Sequence, residues 1–193
     1  MEEVLVKKSN YEVIDRLSSY LLKVKKDDKT YLVYDFSINP EGFGDFKFAY
    51  KRLKSSGVTI PTVYELDKKT FRALVEDVEG DTLFDTLCKR DLLDEEMEQV
   101  FIANFKARVN RIRLDFDPTN FIYREGKLYY LPFTFTEYVR DADFTQKEIR
   151  LYFYTKEFKE LLISKGLPID QSRLKNEYER NKEIVLTVVK YFR

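Results

Sequence analysis

The hydrophobic patterning of this chain changes character once, at Glu76–Leu83 (EDVEGDTL), and that seam limits the fold more than any other feature. Before it, residues 12–17, 20–26 and 30–37 are short runs of β-branched and aromatic residues, separated by Ser18-Ser19 and by Asp27-Asp28-Lys29. That composition predicts a meander of strands with tight turns. Residues 46–57 switch to helical spacing, with Phe46, Ala49, Tyr50 and Leu53 on one face and Gly57 in the position of a stop. Residues 62–67 and 70–78 flank Lys68-Lys69 as a further hairpin, so the expected order is three strands, a helix and two strands. After Gly80 the spacing is helical: one helix opening on Asp81, a second opening on Asp94 with acids in its first turn, and others over 144–166 and 172–192. Between them, residues 120–123 and 127–133 flank Glu125-Gly126 as a hairpin. Sheet first and helices second is an α+β arrangement, with a ligand expected in the cleft between the two parts.

Composition removes several chemistries. Lys+Arg and Asp+Glu both total 34, so nothing favours a nucleic-acid or anionic-membrane partner. Histidine is absent, which excludes Ser-His-Asp and Cys-His nucleophile systems and His-ligated zinc. The lone Cys88 allows no internal disulfide and reads as a small packing residue in a helix. Residues 1–10 lack the apolar core of an export signal, and no run approaches the roughly 20 apolar residues of a membrane span, so a soluble cytoplasmic protein is expected.

The most informative motif is LDFDPTNFIYREGKLYYLP, residues 114–132. Asp115 is followed five residues later by Asn120, with a tight turn at Pro118 that lets both side chains converge. Asp-Pro-Thr-Asn is equally ordinary chemistry for a turn that opens a hairpin. With the strand order and the connector LVEDVEGDTLFDTL, however, the motif resembles the protein-kinase-like superfamily, in particular aminoglycoside phosphotransferases and RIO-type kinases. The resemblance covers most of the chain. It implies a kinase-like two-lobe fold over 1–193: a β-rich amino-terminal lobe with one helix (1–76), a hinge (77–83) and a small helical lobe containing a β-hairpin (84–193). It further implies ATP and magnesium as cofactors. The hinge backbone around Glu76, Asp77 and Val78 would hold adenine, and Ser18 and Ser19 would stand in the turn that covers the phosphates. Asp115 would orient or deprotonate an attacking hydroxyl, and Asn120 would hold a magnesium ion by its amide oxygen.

The chain also departs from that pattern. Relatives carry a metal-binding acid after the second hairpin strand, where Pro132 stands, and the next carboxylate downstream is Glu137. The lysine that grips the phosphates should fall near Tyr34, and its helix glutamate near Phe46 and Phe48. Losing both charges together is coherent, because an unpaired buried charge is costly and an apolar replacement can be neutral. Lys23 or Lys25 on the preceding strand could substitute. The expectation is a degenerate kinase-like domain, a pseudokinase, that binds a nucleotide or a protein partner. The alternative is an active ATP- and magnesium-dependent phosphotransferase acting on a small-molecule or protein hydroxyl. The aromatics of 127–133 and 148–158 read as core, and the apolar carboxy-terminal helix as buried or as a partner contact.

Overall fold

The structure, a computed structural model, describes residues 2–140, 143–174 and 176–192. The chain divides into two compact units, residues 1–55 with 60–79 and residues 56–59 with 80–193.

The first unit is a six-stranded antiparallel sheet: β1 (Glu3–Val6), β2 (Ser9–Arg16), β3 (Leu21–Lys26), β4 (Lys29–Asp35), β5 (Val63–Asp67) and β6 (Arg72–Glu76), in the order β1-β2-β3-β4-β6-β5. It has one strand more than the sequence reading gave. In β1 the side chains alternate, with Val4 and Val6 buried and Glu3 and Leu5 exposed. That two-residue period is the mark of a strand with one face on a core. Val4 and Val6 join Tyr11, Leu22, Val24, Val33 and Leu74 in the core of the unit. The β3–β4 turn uses Asp27 and Asp28 at φ of 50° and 61°, the left-handed region that a two-residue hairpin demands and that Asp tolerates better than most residues.

Helix α1 (Pro40–Ser56) follows β4. It starts six residues before the expected Phe46, because Pro40 supplies a helical φ at the first turn, where its missing N–H costs nothing. Phe46, Ala49 and Leu53 are buried as the spacing predicts, whereas Phe48 is 65% exposed.

The second unit contains α2 (Leu83–Lys89), α3 (Asp94–Val109), β7 (Ile112–Arg113), β8 (Phe121–Arg124), β9 (Lys127–Tyr130), β10 (Thr136–Glu137), α4 (Lys156–Ser164) and α5 (Glu177–Phe192). The fold is therefore α+β, with a sheet unit carrying one helix and a helical unit carrying a β-hairpin. Asp81 is not the cap of α2. Thr82 is, its hydroxyl accepting from the Asp85 N–H while the Asp85 carboxylate accepts from the Thr82 N–H. Asp94 likewise lies inside α3 rather than capping it, and Glu96 reaches back to accept from the Leu93 N–H at 2.7 Å. The β8–β9 turn falls at Glu125-Gly126, both at positive φ, as expected from REGK.

The expected single helix over 144–166 is two structures. Glu148–Tyr152 forms a 3-10 turn, and α4 begins only after Thr155, whose hydroxyl accepts from the Phe158 N–H. Tyr152, Phe153, Tyr154 and Thr155 are all buried, and four consecutive residues cannot share one face of an α-helix. In the expected helix over 172–192, α5 occupies Glu177–Phe192, and Lys175 lies outside the described residues. The helix is buried on one side only, with Ile184 7% exposed and Val185 and Leu186 each 60% exposed. Cys88, expected to pack, is exposed on α2.

Candidate functional site

Alternation places the two acids of the Asp115–Asn120 loop. Leu114 and Phe116 are 1% exposed, Asp115 is exposed and Asp117 partly so, so the apolar side chains anchor the loop and the carboxylates face outward. Phe116 stacks on Phe121 at 5.4 Å between ring centroids and lies 4.6 Å from Phe144. A 3-10 turn at Pro118–Asn120 then reverses the chain. Asp117 caps it, with one carboxylate oxygen accepting from the Thr119 N–H at 2.9 Å and the Thr119 hydroxyl at 2.7 Å.

Hydrogen bonds make this loop a fixed object. The Asn120 amide nitrogen donates to the Asp115 carbonyl at 3.2 Å, so the two residues singled out by spacing are in direct contact. The Asp117 N–H donates to Asp115 Oδ1 at 3.2 Å. The Asp115 N–H donates to the Tyr130 hydroxyl at 3.2 Å, and that hydroxyl donates to the Thr134 carbonyl at 3.1 Å. Among the described residues, Asn120 Oδ1 and Asp115 Oδ2 take part in no hydrogen bond, which leaves one amide oxygen and one carboxylate oxygen available to a ligand.

Two buried phenols support the loop, and the sequence reading missed both. Tyr130 is fully buried; burial raises its pKa, and the bonds from Asp115 and to Thr134 only partly offset that. Tyr152 is pushed well above the ordinary tyrosine value by burial first and then by the negative charges of Asp117 and Asp115. Both keep their protons and neither is a base: Tyr130 donates to the Thr134 carbonyl, whereas the buried Tyr152 hydroxyl forms no hydrogen bond among the described residues and its ring packs edge-on to Phe144 at 5.3 Å. Their spacing to Asp115 follows no local period, and only the hairpin register Phe121↔Tyr130 brings Tyr130 to the loop.

The metal side of the site is thin. The Leu131 N–H donates to the Asn120 carbonyl at 2.9 Å, so Pro132 follows directly on the residue that pairs with Asn120 and offers neither a carboxylate nor a donor. Glu137 pairs with Ile112 across the short β7–β10 ladder and is exposed. Among the described residues no group of three or more Asp, Glu, His or Cys side chains could hold a metal ion. A phosphate-bound magnesium takes one or two protein carboxylates beside any amide oxygen, and here Asn120 has Asp115 beside it, with no further acid at Pro132.

In the sheet unit, the place expected for a charge pair is aromatic. Tyr34, at the end of β4, packs its ring 5.0 Å from that of Phe46 on α1, and both rings lie against Phe36. Burial, followed by the neighbouring Tyr20, pushes the Tyr34 hydroxyl up to about 12. The substitutes considered for the missing lysine are committed elsewhere. Lys23 Nζ lies 2.8 Å from Asp77 Oδ2, and Lys25 Nζ lies 3.2 Å from Asp28 in the adjacent turn. Contact with Asp77 raises the Lys23 pKa, so the ammonium stays charged.

The connector residues have distinct roles within the sheet unit. Glu76 is spent on structure: its N–H donates to the Thr62 carbonyl at 2.8 Å, and its carboxylate accepts from the Thr62 N–H at 3.0 Å. The Asp77 carboxylate holds Lys23, and Val78 is 7% exposed. Among the described residues the backbone N–H and C=O of Val78 form no hydrogen bond within the protein, whereas Asp77, next after the Tyr31↔Glu76 pair, faces Thr30 on β4. In the β2–β3 turn the Ser18 N–H donates to the Leu21 carbonyl at 3.1 Å and the Ser18 hydroxyl accepts from the Tyr20 N–H at 3.3 Å. Ser19 makes no such bond among the described residues, and both serines are exposed.

Exposed Cys88 is not an activated thiol: burial first and the Asp85 charge next raise its pKa. Among the described residues no helix is long and apolar enough to cross a membrane.

No known family matches the sequence, and no curated protein matches it. Among solved structures, the chain is similar to a crystal structure of LicA in complex with AMP, at 17% identity and a TM-score of 0.45, covering 97% of this chain and 84% of that one. It is also similar to a crystal structure of choline kinase LicA from Streptococcus pneumoniae, at 15% identity and a TM-score of 0.46, covering 99% of this chain and 86% of that one.

Proposed function

We propose that this chain is a degenerate kinase-like domain, a pseudokinase, that binds a nucleotide or a protein partner without efficient phosphoryl transfer. The observation that supports this reading is the 5.0 Å Tyr34–Phe46 contact, two rings packed together at positions where the resemblance leads one to expect a lysine and a glutamate. A phosphotransferase works chiefly by neutralising phosphate charge, and neutral rings supply none. Pro132, in place of an acid, removes a second source of neutralisation. The backbone N–H and C=O of Val78, unpaired among the described residues, supply a donor and an acceptor suited to the edge of an adenine ring, so nucleotide binding can outlive catalysis. Ser19, in the turn after β2, offers an uncommitted amide and hydroxyl to a phosphate.

The intact Asp115–Asn120 loop favours a second reading, an active phosphotransferase with Asp115 as the base for a small-molecule or protein hydroxyl and Asn120 as a magnesium ligand. Thermal unfolding with ATP, with and without magnesium, together with ATP turnover by wild type and by Asp115→Ala, separates the two. The favoured reading predicts a rise in melting temperature that EDTA leaves in place, and no turnover above the Asp115→Ala background. Turnover abolished by Asp115→Ala establishes the second reading instead. If no nucleotide shifts the melting temperature, the protein-partner form of the first reading remains, and the Asp77–Val78 backbone has no adenine role.

A further inference from the structure

Two hairpin turns of the sheet unit, Lys7-Lys8 between β1 and β2 and Lys68-Lys69 between β5 and β6, line a single cavity of about 670 Å³. That volume falls within the roughly 300–1,000 Å³ of typical small-molecule sites. The turns are distant in sequence and are bolted together by Asp67, which is 5% exposed. Its Oδ2 accepts from the Lys7 N–H and from the Thr70 hydroxyl, each at 2.7 Å, and its Oδ1 accepts from the Lys69 N–H at 2.9 Å. A buried carboxylate spent entirely on the donors of two turns gives the cavity a preformed rim.

That rim is cationic and its floor is apolar. Lys7 is paired with Glu65, but Lys8, Lys68 and Lys69 are exposed and form no ion pair among the described residues. Asp67 forms no ion pair with them, its oxygens accepting from the turns, and four lysines against the two carboxylates Glu65 and Asp67 leave the rim net positive. The lining continues into Val6 and Tyr11, members of the sheet core, and into Leu66. Three unspent ammonium groups beside an apolar floor select for a molecule with complementary halves.

We propose that this cavity binds an anionic amphiphile, a small molecule with an apolar body and a carboxylate or phosphate head. The head lies among Lys8, Lys68 and Lys69, and the body lies on Val6, Tyr11 and Leu66. The site is independent of the Asp115–Asn120 loop and of any nucleotide chemistry.

The test is an amide NMR titration of the full chain with decyl phosphate and, separately, with decanoate, both below their micelle concentrations. Saturable shifts at Lys7–Ser9 and Asp67–Thr70 are expected from at least one of the two, and the stronger binder identifies the head group. In the triple variant Lys8→Gln, Lys68→Gln, Lys69→Gln, affinity for that probe falls about tenfold, as the loss of several exposed charge contacts requires. The substituted side chains are exposed, and an otherwise unchanged amide spectrum shows that the variant is folded. The proposal is overturned if neither probe gives saturable shifts there, if the triple variant binds as tightly as wild type, or if decyltrimethylammonium binds equally well. It is also overturned if inorganic phosphate alone matches decyl phosphate, since the apolar floor would then contribute nothing.

Discussion

Replacing Tyr130 by Phe tests whether the Asp115–Asn120 loop is held by the bonds that the structure assigns to it. The ring is fully buried, so Phe retains the packing against Phe121 and the substitution deletes only the hydroxyl. That hydroxyl accepts from the Asp115 N–H at 3.2 Å and donates to the Thr134 carbonyl at 3.1 Å. Two neutral bonds contribute about 0.5–1.5 kcal/mol each, and a fully buried group left unpaired costs about 1–3 kcal/mol. Asp115 and Thr134 are both exposed, so water can reach the abandoned groups and the cost falls toward the lower end. The expected loss is about 1–2 kcal/mol, or about 2–8 °C in melting temperature for a domain of this size. Urea unfolding should show a lower midpoint with an unchanged slope, because the surface exposed on unfolding is the same. Hydrogen exchange supplies the local readout: the Asp115 amide should lose protection while amides in β3 and β4 keep theirs. A loss below about 0.5 kcal/mol with Asp115 protection unchanged would refute the claim that Tyr130 fixes the loop.

Three further outcomes follow from particular contacts. Hydrogen bonds from its two turns outweigh burial and lower the Asp67 pKa to about 2, so its contribution to stability is present above the ordinary carboxylate value and is lost as pH falls through about 4 to 2; acid titration of wild type should show a loss of about 1–2 kcal/mol that Asp67→Asn lacks. Glu96 accepts from Arg90 at 2.8 and 2.7 Å and from the Leu93 N–H at 2.7 Å, so Glu96→Ala should cost about 2–4 kcal/mol in denaturant unfolding, well above the change for exposed Glu98→Ala. Gly80 sits at φ +141°, and an added Cβ would meet Ile122 Cγ2 at 3.2 Å, so Gly80→Ala should cost about 1–3 kcal/mol by the same measurement.

What the sequence made legible was mostly local. Helical spacing found the buried face of α1 because Phe46, Ala49 and Leu53 repeat within the helix itself, and turn chemistry found Asp27-Asp28 and Glu125-Gly126 because positive φ has a residue signature. The strand β1 escaped because four residues give too short an alternation, and its partner β2 is what makes it a strand. The aromatic run 152–154 looked helical but is buried on every residue, a demand made by the surrounding core rather than by any local period. At the candidate site, spacing marked Asp115 and Asn120 as neighbours across a tight turn, and the bond between them runs from the Asn120 side chain to the Asp115 main-chain carbonyl. Tyr34, Phe46 and Phe48 were marked only by the resemblance as places where charges are expected; Tyr34 and Phe46 are in contact, and Phe48 is exposed. Tyr130, Tyr152 and the Lys23–Asp77 ion pair were not readable, because each depends on register across elements far apart in the chain.

The most direct test of the pseudokinase account follows the backbone amides of Asp77 and Val78 by NMR during an ATP titration, with phosphate release measured in the same sample. The account predicts saturable shifts at both amides, equal with magnesium and with EDTA, and phosphate release no faster than in Asp115→Ala. Magnesium-dependent phosphate release that disappears in Asp115→Ala would contradict it.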